Sequence, residues 1–70
     1  MKEGWVKIFS SLDVIEAKLA EDILKQHGIE SHLLSTPDPI IPSIGEAELY
    51  TLPENAEAAL EVLREREMVE

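Results

Sequence analysis

Histidine and carboxylate side chains near the middle of this 70-residue chain are the first candidates for chemistry. His27 and His32 are close in the sequence to Asp22 and Glu30. Imidazole and carboxylate groups bind zinc, but a catalytic zinc site needs three protein ligands that converge on one open position. The spacing supplies no such set, so we expect no metal site. We expect His27 to end a helix and His32 to lie within a strand.

Other catalytic groups are equally sparse. Ser10 and Ser11 have no His and Asp partners at a recognisable spacing. The carboxylates of Glu54, Glu57 and Glu61 are neighbours on one helix face, where solvated surface is the ordinary interpretation. The chain has no Cys, and its three glycines form no phosphate-binding loop. We therefore expect neither an enzyme nor a cofactor.

The element that must position the other groups is a predicted helix from Asp13 to Ile29. Asp13 suits the N-cap, and Glu16 follows it at the spacing of a capping box. His27 and Gly28 suit the end of the helix, because glycine accepts the left-handed conformation there. At 3.6 residues per turn, one apolar stripe is expected to contain Leu12, Ala17, Leu19, Ala20, Ile23 and Leu24.

Three strands and a second helix are predicted in the rest of the chain. The strands are Trp5 to Phe9, Ile29 to Leu34 and Ala47 to Leu52. Pro53 suits the first turn of the second helix, whose apolar stripe is Ala56, Ala59, Leu60 and Leu63.

The segment 35–46 is predicted to be a loop because it contains three prolines. Its isoleucines, including Ile40 and Ile41, are expected either to fold back over the edge of the core or to form an exposed apolar tip, and we favour folding back. Residues 64–70 are expected either to continue the second helix or to fray.

The order β-α-β-β-α predicts one α+β domain over residues 1–70. A right-handed crossover leaves a gap between the first two strands, and the third strand fills it antiparallel to both, which gives the order 1-3-2. Both helices then cover one face of this antiparallel sheet. The face they cover is expected to carry Val6, Ile8, Ile29, Leu33 and Leu49.

The other face of the sheet is expected to be bare and apolar, and it provides the predicted interface. Its residues are Trp5, Phe9, His32, Leu34, Tyr50 and Leu52. Apolar patches of several hundred Å² usually mark an interface. We expect either a second copy of the chain or the isoleucine-bearing loop 35–46 to cover this patch, and the open edge of the first strand offers another place for a chain to pair.

The charge of the chain narrows the range of partners. Fifteen acidic and six basic residues give a formal net charge of −9. Such a chain repels phosphate backbones and anionic lipids, so we expect no nucleic-acid or membrane partner. No apolar run has the length of a membrane-spanning helix or the character of a signal peptide, which predicts a cytoplasmic protein.

The motifs together resemble a family of small prokaryotic domains of unknown function that are labelled as signal-transducing proteins. The resemblance lies in Trp5 to Phe9, Asp13 to Ala17, Gly28 to Glu30 and Glu48 to Glu54, followed by Ala59 and Leu63. It implies a ferredoxin-like fold, similar to that of the trimeric nitrogen-regulatory proteins, and signalling through protein contact. It implies no site residues.

Two functions follow from these features. The first is a small non-catalytic binding or regulatory module that acts as a homo-oligomer, through the apolar sheet face or an open strand edge, with a possible protein partner. The alternative is a sensor for a small ligand or metal, with its site near His32, Tyr50 and the loop 35–46.

Overall fold

The computed structural model describes residues 4–41 and 44–68, and its elements follow the predicted order. They are β1 (Val6–Asp13), α1 (Val14–Gln26), β2 (Ser31–Pro37), β3 (Ile44–Thr51), a short 3-10 turn (Pro53–Asn55) and α2 (Ala56–Glu65). The predicted α+β, ferredoxin-like order β-α-β-β-α is confirmed. The strands are longer than predicted, and the connection between β2 and β3 is correspondingly shorter, at 38–43.

The sheet has the predicted order, with β3 antiparallel to β1 on one side and to β2 on the other. Helix α1 packs against all three strands, and α2 packs against β1 and α1. Both helices therefore cover one face. Within the described part of the chain, β1 and β2 each have one edge that pairs with no strand.

A β-bulge in β1 changes which residues face the helices. Lys7 is paired with Tyr50 and Phe9 with Leu49, so Ile8 is an extra residue in β1. Around such a bulge two residues oppose one, and strict alternation is lost. Ile8 and Phe9 are consequently both buried, with Phe9 only 6% exposed. The prediction that Phe9 lies on the open face is therefore wrong: it is part of the core.

The start of α1 is fixed by Asp13, as predicted. Its carboxylate accepts hydrogen bonds from the amides of Ile15 at 2.9 Å and Glu16 at 3.2 Å. The reciprocal half of a capping box is supplied differently, because the Asp13 amide donates to the Ser11 hydroxyl at 2.9 Å. The Glu16 side chain is exposed. Asp13 thus ends β1 and caps α1 with no residue between them.

The end of α1 confirms the predicted glycine stop. Gly28 has a φ of 74°, and its amide donates to the Lys25 carbonyl. The Ile29 amide donates to the Leu24 carbonyl. These two bonds form a Schellman motif, which satisfies carbonyls that the last helical turn leaves unpaired.

Helix α2 ends in the same kind of turn without a glycine. Glu67 takes the left-handed position with a φ of 58°, and its amide donates to the Arg64 carbonyl. The Met68 amide donates to the Leu63 carbonyl, and Met68 packs against the core. Residues 66–68 therefore close the helix rather than fray, and residues 69–70 lie outside the described part.

The core lies between the helices and the sheet, and its α1 face differs from the prediction. The predicted stripe of α2 is confirmed, with Ala59 and Leu63 fully buried. In α1, Leu19 is 54% exposed and Leu12 is 72% exposed, so their assignment to the core stripe is wrong. Leu12 belongs to β1, and Leu19 points about 100° away from its buried neighbour Ala20. The buried residues of α1 are Val14, Ala17, Ala20, Ile23 and Leu24.

No helix within residues 4–41 and 44–68 is both long enough and apolar enough to cross a membrane.

Candidate functional site

The candidate site is the face of the sheet opposite the helices, which we call the open face. Directly opposed residues of antiparallel strands share a face, so the register defines its rows. One row is Lys7, Tyr50 and His32, from β1, β3 and β2. The next row is Ser10, Glu48 and Leu34. No element of the described chain covers these rows.

An aromatic contact between Trp5 and His32 lies at one end of the open face. The rings of Trp5 and His32 meet edge to face, with centroids 6.3 Å apart and an interplanar angle of 75°. Tyr50 lies opposite His32 on the neighbouring strand. Trp5 and Tyr50 are half-buried, whereas His32 is exposed. The face therefore presents large, rigid rings that still have surface available for a contact.

The middle of the open face is charged rather than apolar. The Lys7 Nζ lies 3.4 Å from the Glu48 Oε2, and both side chains are about half exposed. An exposed pair of this kind contributes at most about 1 kcal/mol. Its main effect here is to divide the face, with the aromatic group on one side of the pair. The open face is thus less apolar than predicted.

Five of the six predicted interface residues fit this surface, and Phe9 does not. Leu34 is 37% exposed on β2. Leu52 is half-buried in an extended conformation just after β3. Trp5, His32 and Tyr50 form the aromatic group. The bulge at Ile8 turns Phe9 away from the open face and into the core. This bulge depends on pairing with β3 and has no local signal in the sequence.

The predicted ligand site combines His32 and Tyr50 with the β2–β3 loop, and in the described part of the chain the start of this loop lies at the other end of β2 from these two residues. His32 lies near the start of β2, and the loop begins after Pro37. At ~3.3 Å per residue, that separation is about 17 Å. Within residues 4–41 and 44–68, no group of three His, Asp or Glu side chains is arranged to hold a metal ion.

Asp38 forms a turn at the start of the β2–β3 loop. Its carboxylate accepts hydrogen bonds from the amides of Ile40 at 2.7 Å and Ile41 at 3.0 Å. The bonds from Ile41 and then Ile40 lower the pKa of Asp38 below its usual value of 3.8. Ile40 is 86% exposed and Ile41 is exposed as well, so the prediction that they fold back over the core is wrong.

A group of exposed aliphatic residues was missed by the sequence analysis. Leu12, Ile15 and Leu19 are all exposed. Ile15 and Leu19 are four residues apart and share one exposed face of α1, and this spacing was the available signal, whereas Leu12 belongs to β1. Because Asp13 pairs with Ile44, the start of α1 and the β2–β3 loop lie at the same end of the sheet.

A groove of about 570 Å³ lies between α1 and the start of β2. Its lining mixes both signs of charge, because α1 contributes lysines and carboxylates to it. The lining residues are Lys18, Glu21, Asp22, Lys25, Ile29, Glu30 and Ser31.

No protein-family model, no curated protein and no solved structure matches this chain.

Proposed function

We propose that this protein is a small, non-catalytic binding and regulatory module that acts as a homo-oligomer. The proposal rests on one observation, namely that the helices cover only one face of the sheet. Its helix face buries the core, whereas its open face leaves Trp5, His32, Leu34 and Tyr50 without cover in the described chain. Aromatic residues are enriched in the centres of protein interfaces because they bury much area with little loss of conformational freedom.

The charges of the open face are compatible with burial against a second copy. Lys7 is already paired with Glu48 on the same subunit. A partner surface therefore needs to supply no counter-charge for these two groups, whereas the exposed carboxylate of Glu46, in the row of Thr36, must stay at the solvated rim of the contact. A contact between copies would place the aromatic ends of two open faces together.

Signalling through protein contact is the role that we propose for the assembled module. This role agrees with the resemblance to small prokaryotic domains labelled as signal-transducing proteins, and family membership is part of the proposal. A cytoplasmic location and a second protein as the recipient of the signal belong to it as well. The net charge of −9 disfavours nucleic acid as the recipient, because the chain has no basic stripe with which to release counterions.

The test is the solution mass by light scattering on a size-exclusion column, with Trp5 fluorescence recorded on the same peak. We expect a multimer of the 7.8 kDa chain with blue-shifted emission. Trp5→Glu is expected to lower the mass, because it places a charge in the contact. Ile40→Glu is the matched control, since Ile40 is the most exposed of the large apolar residues and lies in the β2–β3 loop. A wild-type multimer whose mass Trp5→Glu leaves unchanged would contradict a contact through the open face.

A further inference from the structure

The two edges of the sheet differ in how well they are protected against pairing. An edge strand presents a row of unpaired N–H and C=O groups, and proteins guard such edges with bulges, charges and prolines. Strand β1 has the bulge at Ile8, a lysine at position 7 and an aspartate at its end. A second irregularity lies between Ser11 and Asp13. The β1 edge therefore has several of the features that disfavour pairing with another strand.

The β2 edge lacks these protective features. All seven residues of β2 are paired one to one with β3, from Ser31 with Thr51 to Pro37 with Gly45, and no bulge interrupts the register. The strand contains no Asp, Glu, Lys or Arg, whereas β1 has Lys7 and β3 has two glutamates. Its single proline is the last residue. In a chain with a net charge of −9, β2 is thus a strand on which two copies can meet without bringing like charges together.

The side chains of β2 also lack cover toward that edge. Leu33 faces the helices, yet it remains only half-buried, whereas its partner Leu49 on the central strand is fully buried. Leu34 on the open face is exposed. A further strand beside β2 would cover the flanks of both leucines and satisfy the outward backbone groups.

Only certain registers join two β2 strands without swapping the faces of the sheet. Directly opposed residues of two strands share a face of the sheet. A two-fold axis perpendicular to the sheet therefore lies midway between the strands, at the level of a residue that is opposed to its own copy. An axis at Leu33 sets Leu33 against Leu33 of the second copy and Glu30 against Thr36, whereas an axis at Leu34 would set Glu30 against Asp38. The Leu33 axis also sets Ser31 against Ser35, so that the two half-buried leucines meet beside small side chains. The helix-side groove next to Ser31 is of mixed charge, with Lys18 and Lys25 near three carboxylates, so a second copy meets less like-charge repulsion there than the net charge of −9 implies.

We propose that two copies of this chain pair antiparallel through the outer edges of β2, which makes one continuous six-stranded sheet. The order of its strands is β1-β3-β2-β2-β3-β1. The proposal shares with the proposed function only the premise of self-association, because the edge contact and the open-face contact use different surfaces. We infer that the strand which pairs with this edge belongs to a second copy of the chain, because β2 is uncharged and the groove beside it has mixed charge.

The first test is the solution mass of Ser35→Lys at millimolar concentration. Ser35 is exposed and paired with Ala47 on the helix side, so the new charge guards the β2 edge without touching the open face. We expect the mass to fall by half. The matched control is Ala58→Lys, an exposed position on α2 that lies on neither surface and is expected to keep the wild-type mass. Circular dichroism confirms that both variants fold. An unchanged mass for Ser35→Lys, or a wild-type mass of 7.8 kDa, overturns the proposal.

The second test is amide hydrogen exchange of the wild-type chain at high and low concentration. The amides of β2 that point away from β3 are expected to be protected at high concentration and to lose that protection on dilution. Exchange of these amides at unprotected rates at both concentrations overturns the proposal. If the wild-type chain is also a monomer, unprotected β2 amides would mean that this edge is free to pair with a strand of another protein instead of a second copy.

The variants separate this proposal from the proposed function. If Trp5→Glu leaves the mass unchanged and Ser35→Lys halves it, the edge contact holds and the open-face contact fails. The reverse pattern overturns the edge contact and retains the open face. If both contacts form, each single variant halves the mass, and the double variant has the 7.8 kDa mass of one chain.

Discussion

Trp5 and His32 pack edge to face on the open side of the sheet, with ring centroids 6.3 Å apart. This contact joins the residue just before β1 to the edge strand β2, across the central strand. Aromatic pairs of this geometry contribute about 0.5–1.5 kcal/mol beyond the area they bury. The pair therefore helps to fix the start of β1, and it places Trp5 as a reporter on the open face.

Replacement of His32 tests this contact. We expect His32→Ala to lower the free energy of unfolding by about 1 kcal/mol, because the edge-to-face packing is lost. The fluorescence maximum of Trp5 should shift to the red as its ring becomes more exposed. Urea denaturation followed by fluorescence measures both effects. Thr36→Ala, an exposed position on the same strand and face, is the control and should change neither quantity.

Phe9 and Tyr50 are expected to respond very differently to truncation. Phe9 is buried in the core, and Phe→Ala changes in cores cost about 3–5 kcal/mol. A domain of this size has about that much stability in total, so Phe9→Ala should be largely unfolded by circular dichroism at room temperature. Tyr50→Ala removes a half-buried ring and should leave a folded protein. Equal stability of the two variants would contradict the bulge at Ile8.

Glu67 offers a stabilising substitution. It has a φ of 58°, a conformation that costs a residue with a Cβ about 1 kcal/mol and costs glycine nothing. Glu67→Gly should therefore raise the free energy of unfolding, up to that amount, in a denaturant titration. Glu61→Gly is the matched control in the middle of α2, where glycine should instead destabilise by ~1 kcal/mol. A loss of stability in Glu67→Gly would show that α2 does not end in this turn.

The β2–β3 loop should respond to acid through Asp38. Its pKa is lowered by the hydrogen bonds from the Ile41 and Ile40 amides, so these bonds favour the ionised carboxylate. The turn is therefore fully formed above the usual pKa of 3.8 and is lost as the pH falls through the lower value of the folded protein. An NMR titration of the Ile40 and Ile41 amides should have its midpoint below 3.8. A midpoint at or above that value would mean that the bonds do not form in solution, and Asp38→Ala should abolish the transition.

Features with a local physical cause were predictable from the sequence. The cap at Asp13 and the stop at Gly28 depend on residues within one helical turn, and both are confirmed. The strand order followed from the handedness of the crossover and the short connection between β2 and β3.

Features that depend on pairing between strands were not predictable in the same way. The bulge that buries Phe9 exists only because β3 supplies one residue against two. The extension of β1 to Asp13 likewise requires β3, and it removes Leu12 from the helix to which periodicity assigned it. The open face was therefore predicted in outline, whereas its composition depended on the register.

The direct passage from β1 to α1 at Asp13 has a mechanical consequence. Because no flexible residue separates the two elements, a force on the end of β1 is transmitted to the axis of α1 without a hinge. We therefore expect a displacement of the end of β1 to move the start of α1 as well. Residues 38–41 at the start of the β2–β3 connection are all exposed, so we expect an insertion there to be tolerated.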